Sequence, residues 1–298
     1  VKRTYSGEQM RSKKVRSLKN NQLLEERAKG IIVYELRGPL FFGSADNLAR
    51  EIEGALDVFT YCILDMKRLD EIDSTGAKIL GQISKKVTTC GKYLLFSYLS
   101  ANPSLSDFLR AIGVYDTLGE DCFFADTDAA LEWAEDNVLT QSIDLVGAAA
   151  KIELAQMDVL RDFTAAEIDT LAQKLTTKTF GKGDAIVKEG DTDRRLFMLV
   201  KGLVGVRIRL PQSDRSKRLI TYSSGVTFGE LAFLDGSPRS VDVRAEEDAE
   251  TYVLSPDDFR LLQEENPAIA VKLIRNIALE ISERLRIRTN EVRALEQG

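Results

Sequence analysis

A carboxylate and a guanidinium, Glu230 and Arg239, stand nine residues apart within the stretch Phe228-Gly229-Glu230-Leu231-Ala232-Phe233-Leu234-Asp235-Gly236-Ser237-Pro238-Arg239-Ser240. Gly229 lets the backbone approach a ligand closely, and residues 230–234 read as one short helical turn whose first N–H groups suit a phosphate. Arg239 can return to the same spot and fork two donors onto phosphate oxygens, while Glu230 is an acceptor suited to a sugar hydroxyl. The same pair can also be a buried ion pair in a small apolar barrel, and residue types alone leave both readings open. The second chemical candidate is Asp73-Ser74-Thr75-Gly76, which opens a helix. A hydroxyl there sits where the macrodipole favours negative charge, so Ser74 suits phosphorylation, or the loop suits a docked phosphate. Plain N-capping accounts for the same four residues.

Composition narrows the chemistry. The 298 residues include no histidine, which removes Ser-His-Asp and Cys-His catalysis and nearly every catalytic zinc arrangement. Cys62, Cys90 and Cys122 are far apart and form no C-x-x-C pair, so they read as small apolar residues of a protein kept in a reducing cytoplasm. With no metal cluster and no nucleophile–base pair in view, the chain reads as a non-enzyme that needs no metal. Apolar residues at 44% and charged residues at 30% are ordinary globular values. No apolar run reaches the roughly 18–20 residues of a membrane-spanning helix, so the piece itself is expected to be soluble. It starts at Val1, which suggests a fragment of something longer.

Charge is uneven. Residues 1–29 hold nine basic and three acidic side chains, a net +6 against −6 for the whole chain, which leaves −12 for the remainder. Such an arm can be a nucleic-acid tail, a contact for anionic membrane, or a solvated linker. Its one aromatic residue, Tyr5, gives base stacking little support, so no nucleic-acid partner is expected. Cationic residues just inside a membrane would fit the positive-inside bias.

The elements that must position these groups fall into two classes. Strands at 31–36, 61–66, 93–96 and 122–124 alternate with helices opening near Gly43, with Ser44 as N-cap, and over 77–87, 105–112 and 129–138. Leu40-Phe41-Phe42 reads as a further short apolar run. That alternation predicts an α/β layer with a partly parallel sheet. Residues 138–171 look helical. From Thr176 to Leu254 short strands punctuated by glycine predict a β-barrel or jelly roll, and Pro267 starts a long helix to about Leu295. On that helix Ile274, Ala278, Ile281, Leu285, Val292 and Leu295 fall at alternating steps of three and four, interrupted by Arg288. This is a face for its own barrel or a seam for a homodimer. The expected organisation is a connector at 1–29, an α/β domain at 30–138, a helical linker at 139–157 and a barrel domain at 158–298.

The element order together with Asp73-Ser74-Thr75-Gly76 resembles the STAS domain shared by anti-sigma-factor antagonists and SulP anion transporters. In the antagonists the serine after the aspartate is phosphorylated, and it maps onto Ser74. The stretch Glu35-Leu36-Arg37-Gly38-Pro39-Leu40-Phe41-Phe42-Gly43-Ser44-Ala45 looks like the SulP version. Arg11-Ser12 and Leu23-Leu24-Glu25-Glu26 look like the connector after the last membrane helix of those transporters. Residues 160–295 closely resemble a cyclic-nucleotide-binding domain, and residues 228–240 its phosphate-binding cassette. That resemblance implies cAMP or cGMP as regulatory ligand, with a lean to cAMP. It gives Glu230 the ribose 2′-hydroxyl, Arg239 the exocyclic phosphate oxygens, Gly229 and Leu231 backbone contacts, and Ser240 a hydroxyl to the phosphate. Val241 departs from the usual small alanine, and Arg288-Thr289 occupy the positions that meet the base in the catabolite activator family. The chain ends too soon after that helix for a helix-turn-helix.

Together the resemblances imply the regulatory region of a SulP-type transporter of sulfate or bicarbonate kind. It would lie at the cytoplasmic face of the inner or plasma membrane and partner the transmembrane domain of the same chain, with residues 1–29 on anionic lipid. The alternatives are a soluble partner-switching regulator phosphorylated at Ser74, an appendage of an enzyme, and a barrel that binds no nucleotide.

Overall fold

The computed structural model describes residues 1–99, 103–142, 151–209 and 216–297. The chain forms two compact units. Val1–Ser12 and Gln22–Asp144, with Asn290–Gly298, group into the first; Lys13–Asn21 and Leu145–Thr289 form the second. Elements are numbered in chain order. The chain begins with β1 (Arg3–Ser6), β2 (Lys14–Val15) and α1 (Leu18–Arg27). There follow β3 (Ile31–Leu40), α2 (Phe42–Gly54), β4 (Tyr61–Ile72), α3 (Ser74–Thr89), β5 (Tyr93–Ser97), α4 (Pro103–Ala111), α5 (Val114–Leu118), β6 (Phe123–Phe124) and α6 (Thr127–Ser142).

The first unit is the expected α/β layer. Its sheet runs β1-β3-β4-β5-β6, with β3 to β6 parallel and β1 antiparallel at the edge. Alternate residues of β4 feed opposite cores. Cys62 and Leu64 join Leu48, Leu80 and Phe96, while Tyr61 and Ile63 join Leu24, Ala28 and Leu131. Both faces are therefore covered, which is why residues 61–64 read as an unbroken apolar run. Phe41 and Phe42 do not continue the strand. α2 begins at Phe42, both rings are exposed, and Ser44 acts from the third helical position by accepting the Phe41 N–H at 3.0 Å rather than as the N-cap.

The basic segment is folded rather than a plain linker. Tyr5 on β1 and Leu24 on α1 lie in the core, Lys2 pairs with Glu35, and Ser12 donates to the buried carboxylate of Glu135. Charge counting missed this because β1 has only four residues and one apolar anchor.

The second unit adds α7 (Ala165–Ala172), β7 (Leu175–Phe180), β8 (Ala185–Val187), β9 (Leu196–Lys201), β10 (Val204–Arg209), β11 (Ser216–Tyr222), β12 (Thr227–Phe228), α8 (Glu230–Asp235), β13 (Asp242–Ala245), β14 (Ala249–Leu254), α9 (Pro256–Glu265) and α10 (Pro267–Gln297). Two sheets, β2-β11-β10-β13-β8 and β12-β9-β14-β7, make the jelly roll. β9 again shows period two: Phe197 and Leu199 fill the roll, while Leu196, Met198 and Val200 face Leu262, Leu273 and Ile277 of the helices. β2 adds in parallel beside β11, so residues 14–15 belong to this roll.

The continuous helix expected over 138–171 is absent from its described part. Residues 143–150, within the expected 139–157 linker, lie outside the described residues. Leu154–Gln156 and Asp158–Leu160 are 3₁₀ turns and α7 starts at Ala165. Leu154, Met157 and Leu160 recur at steps of three, the period of a 3₁₀ turn rather than an α-helix. On α10, Ile274 and Ile281 pack on the unit's own core, whereas Leu285 and Val292 are exposed. The side chain of Leu295 lies outside the described part.

At the start of α3, Asp73 is the N-cap and accepts the Gly76 N–H at 2.6 Å. Ser74 is exposed, whereas a β-carbon at Gly76 would overlap the carbonyl oxygen of Leu40. Gly76→Ala is therefore expected to destabilise the chain by about 1–3 kcal/mol, an overpacking cost. Ser74→Ala should stay within about 0.5 kcal/mol, as an exposed change does. Denaturant midpoints of the two variants check this.

Candidate nucleotide site

The cassette is built around a left-handed glycine. Gly229 (φ +78°) ends β12 and is the N-cap of α8, and Gly236 (φ +73°) ends that helix, so the chain reverses sharply on both sides of residues 230–235. The return path brings Arg239 beneath Gly229. Its Nη1 donates to the Gly229 carbonyl at 2.8 Å and its Nη2 to the Arg195 carbonyl at 2.6 Å. A β-carbon on Gly229 would lie 2.7 Å from Nη1, so only glycine leaves room for the guanidinium.

Arg239 is the site's buried cation. The side chain is 3% exposed, its Nε is buried without a hydrogen-bond partner, and Asp193 stands 3.7 Å from Nη2. Burial lowers the Arg239 pKa, and Asp193 partly opposes that. Asp193 is already engaged: burial would raise its carboxyl, but the side-chain and backbone hydrogen bonds from Arg195 outweigh this and hold it below the usual range. The loop before β9 is tied to the same place, because Arg239 N donates to Asp191 O and Gly190 N to Arg239 O, each at 2.8 Å. A cation held by neutral carbonyls and a shared carboxylate keeps much of its charge for a ligand. Such an arrangement fits a phosphate.

Glu230, on the first turn of α8, is nearly buried, with a side chain 12% exposed. Leu231 and Ser240 are exposed at the cassette surface. So the structure brings Gly229, Glu230, Leu231, Arg239 and Ser240 into one cassette.

Arg288 and Thr289 lie one turn further along α10 than Arg284. Thr289 is exposed and its hydroxyl donates to Leu285 O at 2.9 Å, while Arg288 acts electrostatically on Tyr222. Arg284, one turn earlier, enters the site. Its Nη1 donates to Glu230 Oε1 at 3.3 Å, and its Nη2 to Thr227 O at 2.7 Å and Glu280 Oε2 at 3.1 Å. Sequence reasoning missed this, although Glu280, Arg284 and Arg288 recur at four-residue steps and so share one helix face. Among the described residues no group of three or more His, Cys, Asp or Glu is arranged to hold a metal, and no helix is long and apolar enough to cross a membrane.

The comparisons agree with this architecture. Residues 23–128 match the STAS domain family, and residues 177–266 match the cyclic nucleotide-binding domain family. The chain thus carries a STAS domain followed by a cyclic-nucleotide-binding jelly roll. It is 29% identical over 277 residues to a glutaminase 2 of Bradyrhizobium diazoefficiens, which covers 92% of this chain and 43% of that protein. A cAMP-dependent protein kinase regulatory subunit of Hypocrea atroviridis is 27% identical over 135 residues, 44% of this chain and 28% of that one. A crystal structure of a cyclic nucleotide-binding domain from Methylobacillus flagellatus is 20% identical, with a TM-score of 0.43, and covers 50% of this chain and 89% of that one. The chain spans less than half the length of the curated relatives that match it most fully.

Two carboxyls beneath the site titrate unusually. Burial pushes Glu280 up to about 8, against the pull of Arg284, with Asp158 and Glu230 adding to the rise. Burial likewise pushes Asp158 up to about 6, although the Leu18 N–H donates to it. A carboxyl whose pKa is raised by folding stabilises the fold below its unfolded pKa, and that stability is lost as pH rises through the folded value. Stability of the second unit is therefore expected to fall between about pH 4 and pH 8. Glu280→Gln should flatten the upper part of that decline and be the more stable form at pH 9, as thermal unfolding across a pH series would show.

Proposed function

We propose that this chain is the regulatory part of a larger protein and that its second unit senses a 3′,5′-cyclic nucleotide, cAMP in the first instance. The observation that carries this is the guanidinium of Arg239, buried behind Gly229 with an unpartnered Nε, facing the same cassette as Glu230. In this reading Arg239 forks onto the phosphate oxygens and Ser240 adds a hydroxyl. Gly229 and Leu231 offer backbone contacts, and Glu230 accepts the ribose 2′-hydroxyl. Ligand binding matters for regulation only through its different affinity for two arrangements of the chain, with coupling of about 1–3 kcal/mol. The STAS domain passes that difference to the rest of the protein, and Ser74, exposed at the first turn of α3, is its candidate phosphorylation site.

Two contexts compete for the rest of the protein. The match of both domains together to glutaminases supports attachment to an enzyme of that kind. The stretch Glu35–Ala45 supports a SulP-type transporter, with the transmembrane domain and anionic lipid as partners at the cytoplasmic membrane face. We favour the enzyme context, because that similarity covers 92% of the chain. Pairing of two chains along Leu285 and Val292 belongs to the same proposal.

Calorimetric titration with cAMP and cGMP tests the sensor directly. Charge-assisted hydrogen bonds contribute about 1.5–3 kcal/mol, so Arg239→Ala should weaken binding by about ten- to over a hundredfold. Glu230→Ala should weaken it too while the fold persists. Absence of binding of either nucleotide by the folded wild-type chain would overturn the reading. For the transporter context, binding to anionic vesicles should weaken with added salt; absent or salt-independent binding counts against lipid contact by residues 1–29.

A further inference from the structure

The first unit carries a row of cations that its own packing does not require. In the register of β3 on β4, Arg37 stands directly beside Arg68. Lys2, whose backbone N–H donates to the Glu35 carbonyl at 2.8 Å, brings a third cation from the residue before β1. Like charges on neighbouring strands repel. Glu35 offsets part of the row from beneath. Its side chain is 15% exposed, accepts from Arg68 Nη1 at 2.6 Å and lies 3.7 Å from Lys2 Nζ. The same carboxylate also belongs to the register partner of Arg3, so it is shared. Arg37 is exposed, and among the described residues its side chain makes no hydrogen bond or ion pair.

The backbone is irregular at this row. The register of β3 on β4 shifts between Glu35 and Arg37 and again between Gly38 and Leu40, so Arg37 and Gly38 lie between two breaks in the ladder. Breaks of this kind bend a strand and re-aim its side chains. Gly38 has a φ of +77°, and a β-carbon there would meet no atom within 4 Å, so the surface is open beside the arginine. An open pocket of about 600 Å³ lies here, lined by Lys2, Arg37, Gly38, Arg68 and Asp70. That volume is in the range of small-molecule sites.

We propose that this pocket binds a phosphate group that carries a proton, with Arg37 and Arg68 as forks, Lys2 as a point charge and Asp70 as the acceptor for the proton. A phosphate has oxygens enough for two guanidinium forks and an ammonium, and as a monoester it brings a charge of about −1.5 to −2. A carboxylate has two oxygens and fills one fork. Asp70 decides between tetrahedral anions. It accepts a hydrogen bond from a P–OH group, whereas sulfate has no proton to donate at neutral pH and is repelled. Inorganic phosphate and the monoester headgroup of phosphatidic acid share this chemistry. All the residues involved belong to the first unit, so the proposal does not rest on the sensor reading.

The test is titration of this chain at pH 7 and constant ionic strength with inorganic phosphate and with sulfate, for wild type, Arg37→Gln, Arg37→Lys, Asp70→Asn and Arg239→Ala. Wild type should bind phosphate saturably and about tenfold or more tighter than sulfate, and Arg37→Gln should weaken phosphate by a similar factor, the effect of one charge-assisted hydrogen bond. Arg37→Lys, a cation without the fork, should restore only part of the loss. Asp70→Asn should bring the two anions near equal affinity. Arg239→Ala, which removes the buried cation of the second unit, should leave this binding in place. Without phosphate, Arg37→Gln removes repulsion and no bond, so its unfolding midpoint should not fall below that of wild type. Phosphatidylcholine vesicles with and without phosphatidic acid separate the sources. Capture that Arg37→Gln abolishes assigns a lipid headgroup, and phosphate binding without capture assigns a soluble phosphate. Absence of saturable phosphate binding by the folded wild type would overturn the proposal, as would binding that survives Arg37→Gln or is lost in Arg239→Ala. Equal wild-type affinity for sulfate overturns the role of Asp70 and with it the assignment to phosphate.

Discussion

A guanidinium buried in a small β-roll is the constraint on which the second unit depends. An unpaired buried charge costs about 3–5 kcal/mol when a partner is removed, so Arg239 must be held on several sides. The holders come from separate parts of the chain: Gly229 after β12, Arg195 at the mouth of β9, and Asp193 before it. The backbone bonds between residue 239 and residues 190 and 191 bind the same loops again. Gly229 must be glycine both because its φ is positive and because a side chain would strike the guanidinium. The spaced glycines and the single arginine are thus one device.

The first unit answers to a different constraint. A parallel sheet has two faces to cover, and the chain covers them with α2 to α5 on one side and α1 and α6 on the other. Loop 73–76 is where that packing meets chemistry. Asp73 and Gly76 are committed to capping and to close approach on β3, which leaves Ser74 and Thr75 as the exposed hydroxyls of the motif. The capping and phosphorylation readings of those four residues are therefore compatible: different residues serve each.

What was legible in the sequence was what depends on period and on backbone freedom. The apolar strand at 61–66, the glycine-punctuated strands of the roll and the Pro267 helix start all follow from local rules and were found where expected. The misses share a different cause. β1 and β2 are short edge strands whose pairing partners lie far along the chain, at β3 and β11, so no local pattern marks them. Residues 154–160 carry apolar side chains at steps of three, which resembles a helix stripe until the backbone is seen to be 3₁₀. Arg284 went unnoticed because a shared helix face with Arg288 does not by itself mark it, and only the packing of the helix against β12 brings its turn to Glu230.

That packing also fixes the charge pattern of the site. At the Arg239 end, Asp193 is shared with Arg195, so positive charge is left over. At the Glu230 end, Arg284 already offsets the carboxylate, so the local balance is close to neutral. A ligand with one negative charge at one end and neutral hydroxyls at the other matches both ends at once. A second phosphate on the sugar side would add like charge beside Glu230, which shares the Arg284 guanidinium with Glu280, and among the described residues no further cation is hydrogen-bonded to either. In the proposed sensor reading, charge distribution along the cassette is therefore the first criterion a ligand must meet.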